Sequence, residues 1–404
     1  MLAVLSTHPI QYQVPLWQAL AKDGNVPFEV WYLTDHATRR SFDAGFKQAF
    51  AWDLNMLGGY PSQFLKANSN HNVARFSQLR LSECLVDRFR KRNVGALWMQ
   101  GWQVAAYWQA AWQAHRAGIP VWIRGESHDL NQREPYKRLL RKILLRQLFK
   151  RVEYFLYIGQ ANRRLYEALG VSETQLRPSP YCVDNERFRE QAKALWPRRS
   201  EIRRQFNIPA DAFCILFAGK FLREKRPLDL VEAVAHLNRT QTKRPIHLLW
   251  TGSGELGQEI RNRCRIMFEA DSATVLSGDV TTNYHLPGAS FTGFLNQTEI
   301  SQAYVAADCL VLPSAGETWG LVVNEAMASG LPCLVSNACG CAEDLVAPIH
   351  SDLCFPVGDI AAISRGLTLL LNQNANALAV NAQVQKFDVS VSVETVRQLY
   401  WAKK

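Results

Sequence analysis

Short apolar runs and amphipathic stretches alternate along almost the whole chain. In the first half, Leu2 to Leu5, Phe28 to Leu33, Ala96 to Met99, Pro120 to Arg124 and Tyr154 to Ile158 are too uniformly apolar for strands with one wet face. They predict strands covered on both sides. Between them, Leu81 to Arg92 and Val104 to Ala117 place apolar residues three and four apart, the period of a helix packed along one stripe. The second half repeats the alternation, with strands expected at Phe213 to Ala218, Ile246 to Thr251, Cys309 to Leu312 and Cys333 to Ser336 and helices at Leu228 to Asn238 and Glu299 to Ala307. Such alternation predicts an α/β protein of two doubly wound parallel sheets with helices on both faces. Asp184 to Ala210 is polar and carries Pro197 and Pro209, so it reads as a linker. The expected organisation is a domain over 1–185, a linker over 186–210, a second domain over 211–385, and a helix over 386–404 that could pack back on the first domain. Two doubly wound domains would place ligands at the carboxyl ends of their strands, in a cleft.

Composition narrows the class. The 404 residues suffice for two domains, and 48 % hydrophobic with 20 % charged residues describes a folded chain. There is no run of eighteen apolar residues, which excludes a spanning helix of ordinary length. Met1 to Ser6 lacks a basic region and meets His8-Pro9 at once, so it reads as a first strand and the protein is expected in the cytoplasm. Nine cysteines, scattered mostly inside apolar runs, suggest reduced buried thiols. Cys339 and Cys341 form a C-x-C without a second Cys or His cluster near them in sequence, which favours a structural role over zinc. The net charge of +10 is concentrated: eight basic residues and one acid, Glu134, lie between Arg133 and Arg151. Glu134 to Lys150 reads as an amphipathic basic helix, with Leu140, Ile143, Leu144 and Leu148 along its apolar stripe. It either docks that stripe on the core with its cations solvated, or also meets an anionic membrane surface. Nucleic acid is not the expected partner, since only Tyr136 and Phe149 could stack on bases there.

Three strand-to-helix turns carry the candidate chemistry. The first runs from Leu312 to Pro332: a buried strand ends at Leu312, a loop of small residues follows, and a helix is expected from Thr318 or Trp319. Amides at a helix start point outward at its positive end and can hold a phosphate or sugar oxygen. Gly316 and Gly320 permit close approach. Glu317 precedes the helix and Glu325 lies roughly 10 Å further along, so the two would touch different parts of one extended ligand. The second turn, Phe217 to Pro227, places Lys220 and Lys225 at the carboxyl edge of a strand, where cations can neutralise a diphosphate. The third, Trp250-Thr251-Gly252-Ser253-Gly254-Glu255, is another strand, glycine loop and helix.

In this order, and followed by Phe291-Thr292-Gly293-Phe294-Leu295, the three turns resemble the donor domain of family 4 glycosyltransferases over Phe213 to Phe355. The resemblance implies the GT-B fold and transfer, with retention, from a nucleotide diphosphate sugar used as co-substrate, with no cofactor. It implies that Glu317 holds hydroxyls of the transferred sugar and Glu325 the ribose. Trp319, Gly320 and Leu321 would lie near the sugar and phosphate, with Gly252 also lining the donor. Lys225 and Lys220 would meet the diphosphate, Lys220 standing where the family usually has Arg, and Leu295 beside Phe294 would meet the base. Thr7 to Leu16, Arg124 to His128 and Tyr157 to Asn162 look like a subgroup of bacterial polysaccharide glycosyltransferases. That likeness implies an acceptor side in the first domain, with His8, Glu126 and His128 as candidates and either Glu126 or His128 at the family's active-site His position. Glu317, His128 and Lys225 are the expected catalytic residues. No Asp-x-Asp cluster suited to a divalent cation follows a strand, so no metal is expected. The acceptor would be a glycan or lipid-linked glycan, handled at the inner membrane face. Rival readings are an epimerase or phosphorylase of the same fold and a catalytically silent sugar-nucleotide-binding or scaffold module; intact Glu317, Glu325, Lys225 and glycine loops argue against the silent module.

Overall fold

The computed structural model describes residues 1–36, 38–69, 76–128, 135–239, 244–268, 284–286, 288–372 and 377–402. The chain divides into two units, each built on a seven-stranded sheet. The first unit comprises Met1–Arg40, Leu54–Val183 and Phe387–Lys404. Its strands lie in the order Leu176–Pro178, Tyr154–Tyr157, Val121–Ile123, Ala96–Met99, Leu2–Ser6, Phe28–Tyr32, Ser62–Phe64, with every neighbouring pair parallel. Both faces are covered, as uniformly apolar strands require. On one face Trp17, from helix Val14–Asp23, meets Trp98 edge-on at 5.3 Å. On the other, helix Ala105–Arg116 turns Ala106, Ala110, Ala111 and Ala114 inward, all fully buried, and small side chains let its backbone approach the sheet.

The second unit comprises Ser41–Asp53 and Asp184–Lys386. Its strands lie in the order Tyr284–Leu286, Ala289–Gly293, Ile246–Thr251, Phe213–Ala218, Cys309–Leu312, Cys333–Ser336, Cys354–Phe355. All pair in parallel except the first two, which are antiparallel. The nine cysteines are free thiols, seven of them buried.

Several sequence expectations change. The segment 186–210 is not a linker: helices Asn185–Leu195 and Arg199–Gln205 belong to the second unit. Its polar composition serves an internal ion cluster. Arg203, only 4 % exposed, donates to the carbonyls of Pro209 (2.8 Å) and Ala212 (2.6 Å), and both it and Arg199 pair with Asp308 at 3.3 and 2.9 Å. Leu81 to Arg92 is helical only over Val86–Lys91, because Leu79–Leu81 alternates buried and exposed positions and pairs with Ala67–Ser69 as a strand. The helix Val389–Trp401 lies in the first unit, where Ser392 Oγ bonds Ser179 Oγ at 3.0 Å and Trp401 Nε1 donates to the Asn25 carbonyl at 3.0 Å.

The basic segment folds as helix Pro135–Phe149, and among its described side chains the buried ones are Leu145, Leu148 and Phe149. Ile143 and Leu144, assigned to the docking stripe, are instead 51 % and 50 % exposed. Glu134 lies outside the described residues, as do the side chains of Lys137, Leu140 and Arg141. Among the described residues no helix is long and apolar enough to cross a membrane.

Candidate active site

The loops at the carboxyl ends of the second unit's central strands are tied together by their backbones. Gly219 N–H donates to the Thr251 carbonyl (2.9 Å), Gly252 N–H to that of Gly293 (2.7 Å), and Phe221 N–H to that of Ser253 (2.8 Å). Gly252 has φ +124°, and a Cβ there would fall 2.0 Å from the Gly219 carbonyl oxygen, so only glycine lets these loops come together. The next loop joins them through Ala315 N–H, which donates to the Glu224 carbonyl at 2.7 Å. Lys225 and Glu317 are thereby brought face to face, and their side chains form an ion pair that is about one-fifth exposed on each side. Burial pulls the Lys225 ammonium below the ordinary lysine range.

Glu317 is held by its backbone as well. Its N–H donates to the Ala338 carbonyl (3.2 Å) and its carbonyl accepts from Gly340 N–H (3.0 Å), forming a one-residue parallel bridge with Cys339. This bridge is why the helix expected from Thr318 or Trp319 starts later. Gly320, at φ +104°, caps it, and the helix spans Leu321–Ala328. Trp319 is buried, with its indole N–H on Asn324 Oδ1 at 2.7 Å, which fixes the turn into the helix.

Glu325, on the second turn of that helix, is fixed from three elements. Tyr304 donates to one carboxylate oxygen at 2.5 Å and Gln297 to the other at 3.2 Å. Arg187 in turn grips Gln297, at 2.9 Å to its carbonyl and 2.7 Å to its side-chain oxygen. Burial pushes the Glu325 carboxyl up, and the bonds from Tyr304 and Gln297 and the nearby Arg187 charge act against that. Leu295 is half-buried beside Phe294, two residues before Gln297. Lys220 pairs not with another motif residue but with Asp43, at 3.0 Å, in a two-stranded hairpin of Ser41–Asp43 and Gln48–Phe50. Tyr304, Gln297, Arg187 and Asp43 have no motif to announce them; only Gln297, close after Leu295, lies near one.

His8, Glu126 and His128 lie in the first unit. Ser6 Oγ donates to the His8 carbonyl (3.1 Å) and to Gln13 Oε1 (3.3 Å), and Gln13 Nε2 reaches Glu126 at 3.5 Å, so His8 and Glu126 flank one turn. Burial pushes the Glu126 carboxyl up, opposed by bonds from Tyr181 and Gln13 and by the Arg124 charge. The Arg124 guanidinium lies 5.0 Å over the Tyr181 ring, and that ring meets Tyr12 edge-on at 5.3 Å. His8 bonds Thr7 Oγ1 at 2.9 Å; burial, helped by His36, pulls its imidazole down to about 4, so it is neutral at neutral pH and a weak base. His128 is buried, and the carbonyl of Ser127 beside it accepts from Asn162 Nδ2 at 2.5 Å.

Residues 198–386 match the family described as Glycosyl transferases group 1. Over 186 residues the chain is 29 % identical to the sulfoquinovosyl transferase SQD2 of Arabidopsis thaliana, covering 42 % of this chain and 35 % of that one. Over 179 residues it is 31 % identical to a D-inositol 3-phosphate glycosyltransferase of Saccharomonospora viridis, covering 44 % and 37 %. The chain thus spans little more than a third of the length of these relatives. Its structure resembles that of Anabaena HepE in complex with UDP and glucose, with a TM-score of 0.65 at 15 % identity over 99 % of each chain. The fold is that of the GT-B glycosyltransferases, and the segment 198–386, which contains Lys220, Lys225, Glu317 and Glu325, is the part that matches the group 1 family.

Proposed function

We propose that the protein is a retaining, metal-independent glycosyltransferase that moves a sugar from a nucleotide diphosphate sugar to a hydroxyl of a glycan or lipid-linked glycan. The observation that carries this reading is the order of charged groups across two neighbouring strand ends and one helix. Lys225, in the loop after strand Phe213–Ala218, pairs with Glu317 before the helix, Glu325 is held on the helix's second turn, and Lys220 stands in the same loop as Lys225. An extended donor laid along that row meets Glu325 with its ribose, the two lysines and the helix start at Leu321 with its diphosphate, and Glu317 with its sugar. The leaving nucleoside diphosphate gains negative charge as the glycosidic bond to it breaks. Two ammonium groups and a helix N-terminus stabilise that charge without a metal ion. Fixed donors aimed at Glu325 cost no reorganisation when the ribose arrives. The UDP bound by the HepE structure makes UDP-sugars the first donors to try. In the first unit, Glu126 and His128 are the candidates for the acceptor side. The exposed Ile143 and Leu144 beside Lys142 suit a membrane surface where a lipid-linked acceptor would lie.

The test is nucleoside diphosphate release from UDP-, GDP- and ADP-sugars, with binding of the free nucleotides measured alongside. Glu325→Ala should weaken nucleotide binding by about tenfold to a hundredfold, the loss of charge-assisted hydrogen bonds. Glu317→Ala should not weaken that binding, because it also releases Lys225 from its ion pair, and should cut turnover by about a hundredfold or more. Equal loss of nucleotide in both variants would sink the division of roles, and no release from any donor would sink the transferase reading.

A further inference from the structure

The hairpin formed by Ser41–Asp43 and Gln48–Phe50 lies in sequence between strands of the first unit, yet it packs wholly within the second. Its contacts fall on groups that the donor reading needs. Asp43 is pre-shaped as an anion: Oδ1 accepts from the amides of Gly45 (2.8 Å) and Phe46 (3.0 Å), leaving Oδ2 directed at Lys220 Nζ, 3.0 Å away. The Phe46 ring centre is 5.0 Å from the same ammonium. Ser253, in the glycine loop after Gly252, donates its hydroxyl to the Phe46 carbonyl at 2.6 Å. On the base loop, the Phe294 ring is covered by Phe50 at 4.4 Å and Phe46 at 5.0 Å, with Trp52 at 6.3 Å. Asn296 Nδ2 reaches the Ala51 carbonyl (2.8 Å) and Thr298 N–H reaches Asp53 (3.0 Å). Gly45 presses on Lys220 so closely that a Cβ there would lie 2.6 Å from its Cδ.

A carboxylate on the cation, a carbonyl on the loop hydroxyl and aromatic rings on the base loop reproduce, group for group, what a nucleoside diphosphate offers. We infer that the hairpin is an intramolecular placeholder for the donor: Asp43 holds Lys220 until the diphosphate takes it, so the hairpin sets donor affinity. A bound diphosphate cannot share Lys220 with Asp43 without placing like charges side by side, and the Asp43 charge offsets the lysine's attraction for it while the pair persists. The inference rests on the donor reading above.

Two measurements on the full chain test it, with UDP, GDP and ADP as probes. In the unmodified protein, saturating nucleotide should raise hydrogen exchange of the amides over 43–50. Asp43→Asn, which keeps the size of the side chain and removes its charge, should bind the nucleotide about two- to fivefold tighter, the range expected for freeing a partly exposed ion pair, and Lys220→Ala should remove the difference between the two backgrounds. Unchanged or lowered exchange with affinity equal or weaker in Asp43→Asn overturns the placeholder while leaving the donor site standing; the hairpin would then be a fixed wall of that site. If neither the unmodified protein nor Asp43→Asn binds UDP, GDP or ADP, the donor reading falls and takes this inference with it.

Discussion

Glu325 shows how much of a side chain's chemistry belongs to its neighbours. Burial favours the protonated acid, while the Tyr304 hydroxyl and the Gln297 amide favour the carboxylate that the proposed ribose contact needs. On that proposal only the ionised form accepts two ribose hydroxyls, so nucleotide affinity should be present above the Glu325 pKa and be lost as the pH falls through it. Tyr304→Phe keeps the ring against Phe188, 6.1 Å away, and removes one donor, so the carboxyl rises further. The acid limb of nucleotide binding should move to higher pH, so that the variant loses affinity on the acid side first and least at alkaline pH. Titration calorimetry across that range checks it, and a limb that stays in place would mean another group sets it. Lys225, Glu317 and Glu325 were legible in the sequence because each sits at a fixed offset from a strand end and a glycine. Tyr304, Arg187 and Asp43 were not, because they arrive from other elements, and nothing in a local pattern says which distant hydroxyl or carboxylate will arrive.

At the level of elements, legibility followed burial. Phe213–Ala218, Ile246–Thr251, Cys309–Leu312 and Cys333–Ser336 fall at the expected residues because every position in each is buried and most are apolar. Edge strands such as Ser62–Phe64 and Cys354–Phe355 are two or three residues long and partly exposed, so they leave no apolar run to read. The basic helix Pro135–Phe149 was legible as a helix but not in rotation, since leucines occur on more than one of its sides. Its exposed pair, Ile143 and Leu144, stands beside Lys142. Replacing both with Ser should lower partition onto anionic vesicles by about tenfold, with the melting temperature unchanged because neither side chain is in the core. Salt should weaken the unmodified protein's binding, given a screening length of about 8 Å at physiological ionic strength. If the unmodified protein ignores such vesicles at low salt, the exposed pair has no membrane role.

For the whole molecule, the units are not blocks of sequence. The chain passes from one to the other at 40–41, 53–54, 183–184 and 386–387. Composition and periodicity are local signals, so they locate a polar stretch such as 186–210 without saying which core it joins. The last of these passages can be probed at Ser392, fully buried on helix Val389–Trp401 between the Ser179 hydroxyl and the Pro180 carbonyl. Ser392→Asp would bury a carboxylate against a carbonyl and should cost about 3 kcal/mol or more, against about 1 kcal/mol for Ser392→Ala. Urea unfolding measures both, and an aspartate variant as stable as the parent would show that this helix is not docked on the first unit. That docking also bears on how the protein is made. Strands Leu2–Ser6 and Tyr154–Tyr157 are translated early, but the helix that caps their unit emerges from the ribosome only after the entire second unit has been synthesised. The first unit is begun first and closed last, and through that interval its nascent chain exposes the apolar face that Val393, Val396, Leu399 and Tyr400 later cover.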